Sequence, residues 1–414
     1  MNDPRAIHSR SGTAPAVARM VAPVFHRLLD RIDAGLATGA IEATLPDGSR
    51  RVIGGRAAGH VAIVHLHRWR ALVRLATGGS VGWYEAWAAG EWSSPDAVPL
   101  FALFMANRRT LGSAARSGGM VRAASRLAHR LRRNSRQGAR ANVAAHYDLG
   151  NDFYREWLGG DMTYSSAMFA DAHDALETAQ ARKLARVLAR TGAAARDVVL
   201  EIGCGWGSFA AVAAAAGVRV HAITLSAEQK AAVEARGLAR VAVEQVDYRD
   251  VTGVFDAVAS IEMVEAVGEE YWPAYLDAVA RALKPGGRAA VQCITIADDV
   301  FADYARGVDF IQRYVFPGGM LLSQSRFRAL AEARGLAWQA PEHFGMDYAE
   351  TLRRWRIAFD AAVAEGRLPA RFDARFVGLW RYYLDYCEGG FRGGGIDVMQ
   401  VTLVKEMRVG ERAA

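Results

Sequence analysis

Short apolar runs alternate with helix-forming stretches from about residue 142 to the end of the chain. Val198-Val199-Leu200-Glu201-Ile202 reads as a buried strand, and the apolar stretch 209–218 behind it has the composition of a helix. Further strands are predicted at 218–225, 241–246, 255–263 and 288–296, with a weaker sixth at 338–344 and a seventh at 397–404. Strands separated by helices predict an open α/β sheet. Between the fifth and last strands lies a long insertion carrying Tyr304, Phe310, Tyr314, Phe316, Trp355, Phe359, Trp380, Tyr382, Tyr383, Tyr386 and Phe391. Rings at this density outside the sheet pattern fit either packed core or the lining of a large apolar pocket.

Upstream the pattern changes. Residues 21–110 form a first unit, with β-like pieces at Ala43-Thr44-Leu45 and at 61–66, and a tryptophan-rich helix through Trp87 and Trp92. Ser93-Ser94-Pro95-Asp96 is a helix-start signal ahead of the apolar run 98–105. Residues 111–141 read as a basic linker, and 1–20, which lack an apolar signal-peptide core, as a disordered tail.

A chain of 414 residues that is 51% hydrophobic can build two domains, the larger with a well-buried core. No run approaches the ~20 apolar residues of a membrane-spanning helix. Cys204, Cys293 and Cys387 lie far apart, without Cys-x-x-Cys or Cys/His spacing. That points to a reducing cytoplasm and to no metal site. Cys293 and Cys387 read as core thiols. The net charge of +7 is unevenly spread: Arg116, Arg122, Arg126, Arg130, Arg132, Arg133, Arg136 and Arg140 fall in a stretch without an acidic residue. Val121, Ala124, Leu127 and Leu131 recur among them at helical spacing. Such a segment fits a helix lying on an anionic membrane or nucleic-acid backbone, and equally a solvated linker helix.

The chemistry is expected just past the carboxyl ends of the strands, where open parallel sheets bind ligands. Glu201-Ile202-Gly203-Cys204-Gly205-Trp206-Gly207 ends the first strand. Its glycines allow close approach of a ligand to the backbone, and Glu201 can accept hydrogen bonds from hydroxyls or a cation. The spacing departs from the dinucleotide fingerprint, which cradles a pyrophosphate, and suits S-adenosylmethionine. Asp247 is placed to accept from an adenine amino group, with Tyr248 beside the ring. Thr224 and Gln229 are placed for ribose hydroxyls; Thr224-Leu225-Ser226 also reads as a helix cap, and both readings can hold. Glu262 and Glu265 follow the fourth strand inside apolar sequence, where a buried carboxylate is costly unless it has a partner. The plainer alternative is a pair of loop carboxylates at the surface.

Taken together, these stretches resemble the cyclopropane-fatty-acyl-phospholipid synthases and the related mycolic acid cyclopropane synthases and methyltransferases. The matching segments are His146-Tyr147-Asp148-Leu149-Gly150-Asn151-Asp152-Phe153-Tyr154, Met162-Thr163-Tyr164-Ser165-Ser166-Ala167 and the glycine motif. Ile223-Thr224-Leu225-Ser226, Asp247-Tyr248-Arg249-Asp250 and Glu262-Met263-Val264-Glu265-Ala266-Val267-Gly268 follow. Tyr314-Val315-Phe316-Pro317-Gly318-Gly319 and Asp347-Tyr348-Ala349-Glu350-Thr351-Leu352 complete the set. Gly90-Glu91-Trp92-Ser93-Ser94-Pro95-Asp96 is similar to the family's N-terminal domain. The resemblance implies a class I, Rossmann-like methyltransferase domain over 142–414. Its seven-stranded sheet has an antiparallel last strand, its aromatic insertion forms an acyl pocket, and a smaller N-terminal α+β domain precedes it.

The implied reaction is methylation of a cis double bond in a phospholipid acyl chain through a carbocation, closed to a cyclopropane by loss of a proton. The alternative is a C-methyltransferase giving methyl- or methylene-branched chains; a non-catalytic lipid-binding protein on the same fold is an alternative of another class. In the family the proton-removing base is a bound bicarbonate, and the positions that hold it correspond to Ser166, Glu265, Gln292, Ile294 and Tyr348. Serine stands for the family's cysteine and glutamine for its histidine, as in the plant-type synthases for the serine. Family contacts to S-adenosylmethionine correspond to Tyr164, Ser165, Gly203, Gly205, Thr224, Gln229, Tyr248 and Ile261; Glu201, Leu225 and Asp247 complete the expected cofactor site. The implied partners are unsaturated phospholipids at an anionic surface, with no nucleic acid. The chain is expected in the cytoplasm, peripheral at the inner membrane surface, with a homodimer as its assembly.

Overall fold

The computed structural model describes residues 14–112, 138 and 149–407, and the chain divides into two compact units, 1–118 and 119–414. His146, Tyr147 and Asp148 of the family motif and all eight arginines of the basic segment lie outside the described residues. So do residues 1–13 of the expected tail, although helix α1 (Ala14–Gly35) starts within that stretch.

In the first unit α1 precedes β1 (Ala40–Thr44), β2 (Arg50–Gly54), β3 (Val61–Leu66), α2 (Arg70–Ala88), β4 (Trp92–Ser93) and α3 (Val98–Ala106). The sheet order is β2-β1-β3-β4. Alternation turns Ala62, Val64 and Leu66 of β3 inward, the period-two pattern of a half-buried strand. One expectation is corrected here. Trp92 does not continue the tryptophan helix: Gly90 takes φ +65° just after α2, which ends the helix, and Trp92 opens β4. Its indole stacks on Trp83 at 4.4 Å and donates to the Trp83 carbonyl at 2.9 Å. Helix α3 starts just after the Ser-Ser-Pro-Asp signal, but its cap position is Ala97, which offers no capping side chain; the Asp96 carboxylate one residue earlier accepts from the Val98 N–H at 3.1 Å.

Among its described residues the second unit has first α4 (Asn151–Leu158) and α5 (Leu176–Thr191). Then β5 (Val198–Ile202), α6 (Ser208–Ala215), β6 (Arg219–Thr224), α7 (Ala227–Ala235), β7 (Val241–Gln245) and β8 (Phe255–Ile261) alternate as the pattern predicts. After α8 (Trp272–Ala282) and β9 (Leu283–Ile296) come α9 (Asp298–Ala305), α10 (Phe310–Tyr314), the short β10 (Leu322–Ser323), α11 (Gln324–Glu332) and β11 (Leu336–His343). The long helices α12 (Gly345–Ala364) and α13 (Ala374–Arg392) precede β12 (Ile396–Lys405). The main sheet runs β11-β12-β9-β8-β5-β6-β7. Strands β5 to β9 are mutually parallel, and β12 is antiparallel to both β9 and β11. Central strands are covered on both sides, by a cluster around Phe209 and Val187 and by one around Trp272, Tyr275 and Phe327. That is why β5 and the second half of β9 are buried almost without a break rather than in alternation.

Much of the aromatic insertion is packed core. Phe153 of α4 lies 4.9, 5.4 and 5.0 Å from the rings of Phe372, Phe376 and Trp380. Trp355, Phe359, Tyr382 and Phe391 are buried as well. A smaller set faces the ends of the strands: Tyr164 lies 5.5 Å from Trp355 and 6.4 Å from Phe316, and Tyr348 lies 5.9 Å from Trp355 and 4.7 Å from Phe391.

Candidate active site

Parallel pairing brings the carboxyl ends of β5, β6, β7 and β8 to one edge of the sheet, and a cavity opens there. Tyr164, Ser165, Glu201, Gly203, Gly205, Thr224, Leu225, Gln229, Asp247, Tyr248 and Ile261 all line it. Every residue expected to contact the cofactor therefore faces one space. Gly203 and Gly207 take φ +82° and +83°, so the chain turns back over the end of β5, and the N–H groups of Gly203 and Cys204 both donate to the Ile223 carbonyl at 3.0 Å. A Cβ on Gly203 would stand 2.6 Å from Met263 Cγ, which fixes glycine there on steric grounds as well. Trp206 donates through its indole to Asn151 at 2.6 Å, and its carbonyl accepts from Arg236 at 2.8 Å, holding the turn from two sides.

The polar groups of this cavity differ in how far they are already engaged. Glu201 is buried at the end of β5, and its Oε2 has no hydrogen-bond donor among the described residues. Burial pushes its pKa up to about 8, against the attraction of Lys183 and Arg236. The Thr224 hydroxyl donates to the Gln229 side-chain oxygen at 2.7 Å, and Ser226 caps α7 by accepting from the Gln229 N–H at 3.2 Å. The cap reading thus holds alongside the pocket reading. Asp247 is held by Arg249, whose guanidinium donates at 2.8 and 2.6 Å. These features fit S-adenosylmethionine: left-handed glycines that let the ligand reach backbone, a buried carboxylate oxygen awaiting donors, and Tyr248 beside the space expected for adenine.

Ser166, Glu265, Gln292, Ile294 and Tyr348 form a second cluster, and Glu262, which also lines the cavity, joins it to the first. Register explains the convergence. Ile261 of β8 pairs with Gln292 of β9, so the next residue, Glu262, lies beside the Gln292 side chain. The Glu262 N–H donates to the Gln292 carbonyl at 2.8 Å. Glu262 Oε1 accepts from Gln292 Nε2 at 2.7 Å and from the Ser166 N–H at 2.9 Å, and Tyr348 of α12 is hydrogen-bonded to the same carboxylate. Glu265 accepts from the Ile294 N–H, while its Oε2 is buried without a donor among the described residues. Burial, with the neighbouring Glu262 charge, raises its pKa to about 8. Burial also raises Glu262, and Lys183 opposes that rise. The Ser166 hydroxyl is turned away, donating to the Ala167 carbonyl at 2.9 Å, so this residue acts through its backbone.

Two parts of the site escaped the sequence reading. Lys183 is fully buried, donates to Ser165 Oγ at 2.5 Å and lines the cavity; burial lowers its pKa to about 8. Its signal was its place on the apolar face of α5, at helical spacing with Gln180, Leu184, Val187 and Thr191. The other is a relay with no local signal. Arg190 donates to Gln400 at 3.1 Å, Gln400 donates to the Gln292 side-chain oxygen at 2.9 Å, and Gln292 is thereby left with its amino group toward Glu262. Among the described residues no group of three His, Cys, Asp or Glu is arranged to hold a metal ion, and no helix is long and apolar enough to cross a membrane.

The fold and this cavity define an S-adenosylmethionine-dependent methyltransferase. Residues 134–401 match the family model described as mycolic acid cyclopropane synthetase, and the chain belongs to that family. It is 36% identical over 397 residues to the tuberculostearic acid methyltransferase UfaA1 of Mycobacterium tuberculosis, covering 90% of this chain and 86% of that one. It is also 36% identical over 273 residues to the cyclopropane-fatty-acyl-phospholipid synthase of Escherichia coli K12, covering 65% and 69%. The crystal structure of the mycolic acid cyclopropane synthase CmaA1 with SAH and CTAB superposes with a TM-score of 0.61 at 30% identity, over 64% of this chain and 98% of that one.

Proposed function

We propose that the chain methylates the cis double bond of an unsaturated acyl chain in a membrane phospholipid, and that the resulting carbocation, after a 1,2-hydride shift onto its neighbouring carbon, loses a proton from the new methyl group to give a methylene-branched chain. The observation that carries this reading is a pair of buried carboxylates at the cofactor cavity, Glu262 in its lining and Glu265 beside it, with Tyr348 hydrogen-bonded to Glu262 and packed 5.9 Å from Trp355, which lies 5.5 Å from Tyr164. The cofactor supplies an electrophilic methyl group when bound. An alkene is a weak nucleophile, so the residues must hold it close and exclude water. Aromatic faces suit the cation that follows, and a carboxylate suits its deprotonation. Small polar acceptors gain little from such a wall.

A branched product is favoured by UfaA1, which aligns through both units of the chain and is named a methyltransferase, whereas the cyclopropane synthase aligns over 65%. Ring closure is the second reading, favoured by Glu265, Ile294 and Tyr348 at the positions the family resemblance assigns. On either reading we place the chain at the inner membrane surface, with the arginines between 116 and 140 meeting anionic headgroups.

The test is incubation with S-adenosylmethionine and liposomes of cis-unsaturated phospholipid, followed by mass spectrometry and proton NMR of the acyl chains. A one-carbon gain with vinyl protons supports the branched product; high-field cyclopropane methylene protons support the ring. No one-carbon gain, from protein shown to bind the cofactor, overturns both.

A further inference from the structure

The positions that the family resemblance assigns to bicarbonate do not surround an open anion site here. The Ser166 N–H, the Gln292 amino group and the Tyr348 hydroxyl all converge on the carboxylate of Glu262. The remaining two positions are engaged with each other, the Ile294 N–H donating to Glu265. Bicarbonate therefore does not fit alongside Glu262 in this arrangement, because its donors are spent on the chain itself. A carboxylate has the same planar O–C–O frame and the same single negative charge.

The backbone supports a dedicated role. Glu262 takes φ +48°, a left-handed conformation that a residue with a Cβ adopts only when its surroundings impose it. Its N–H is fixed by the Gln292 carbonyl at 2.8 Å, and the turn points the side chain back between β9, the Ser165-Ser166 loop and α12. Such strain at a cavity-lining carboxylate is the kind retained for function. The Arg190–Gln400–Gln292 relay then orients donors toward a negative group at this point.

We propose that the Glu262 side-chain carboxylate fills the anion position in place of bicarbonate and takes the proton that leaves the substrate cation. The second half rests on the proposed function above. A C–H bond of the cation breaks, and the proton goes to a Glu262 oxygen. The hydrogen comes from the transferred methyl group in both outcomes: once a 1,2-hydride shift has moved the charge onto the methyl-bearing carbon, the bonding pair forms the π-bond of the methylene branch, and without that shift it forms the ring bond. The positive charge of the cation and the negative charge of the carboxylate are discharged together, so no further reactant is needed. Glu265 and Tyr348 then act on Glu262 and on the substrate rather than on a bound anion.

Two arms test this. In the first, carbon-13 NMR follows labelled bicarbonate added to the wild type and to Glu262→Gly, each first shown to bind S-adenosylhomocysteine. Glycine accepts φ +48°, so the variant keeps its backbone. The wild type is expected to show no bound signal, and Glu262→Gly to show one; bound bicarbonate in the wild type overturns the proposal. In the second arm, lipid methylation is measured in carbon-dioxide-free buffer. Wild-type turnover is expected to change by less than about twofold, and that of Glu262→Gln to fall by ~10²–10⁴ with cofactor affinity retained. Loss of wild-type turnover without bicarbonate, or full activity of Glu262→Gln, refutes it. A wild type that binds cofactor and modifies no lipid removes the proposed function alone, since the NMR arm still decides what fills the anion position.

Discussion

Protonation of Glu201 is expected to govern how tightly the nucleoside part of the cofactor binds. Glu201 is 3% exposed, and its Oε2 lacks a donor among the described residues. Burial raises its pKa to about 8. Hydrogen bonds to a charged acceptor exceed those to a neutral one by about 1 kcal/mol each. Two ribose hydroxyls therefore distinguish the ionised from the protonated form by about 2 kcal/mol, or about thirtyfold in Kd. That lies within the linkage ceiling of about fiftyfold between pH 6 and pH 8 for a group titrating near 8. Binding favours the charged form, so Kd falls as pH rises through 8 and levels off above it. Calorimetry with 5′-methylthioadenosine isolates the effect, because this ligand has the ribose hydroxyls and no group titrating in that range. Glu201→Gln should bind with a pH-independent Kd. A flat wild-type profile, or an equal slope in the variant, refutes the reasoning. The raised pKa has a stability counterpart with a definite sign: Glu201 costs the ligand-free protein stability as pH rises from the ordinary value of 4.5 through about 8, and Glu201→Gln should make that loss smaller, leaving the share that Glu265 contributes.

Gly203→Ala is expected to cost about 2 kcal/mol or more, from a left-handed φ and a Cβ 2.6 Å from Met263. Gly205→Ala, with φ +52° and open space around its Cβ, should cost less; equal losses of thermal stability contradict the steric argument. Gln400→Leu leaves the Gln292 side-chain oxygen without its donor, about 1–3 kcal/mol of lost stability. It also frees the Gln292 amide to turn its oxygen toward Glu262, so the pH profile of turnover should move upward while cofactor Kd stays constant. An unmoved profile argues that the relay is structural only.

Local chemistry made the cofactor side of this site readable in the sequence. A glycine-rich turn after an apolar strand needs no distant partner to be recognised, and strand ends in a parallel sheet share one edge by geometry. Glu201, Asp247 and Tyr248 could thus be named from position alone. The break at Gly90 that moves Trp92 from helix to strand was less visible, because tryptophan spacing on either side suits a helix. Lys183 sits within a readable apolar stripe of α5, yet its neighbours Glu201 and Glu262 come from β5 and from the turn after β8.

What the sequence by itself determined is the alternation of elements, the glycine turn and the family, each written in residues close along the chain. Only the tertiary structure decided where the carboxylate pair lies and which donors meet it. The pairing of Ile261 with Gln292, of Gln292 with Gln400, and the contacts of Gln292 with Glu262 and with Ser166 join residues separated by 30 to 126 positions in the chain. Register sets these contacts, and a shift of a single residue would turn Gln292 to the opposite face of the sheet. Glu262 looked like one of two costly carboxylates; the packed chain makes it the point on which the donors of the site converge.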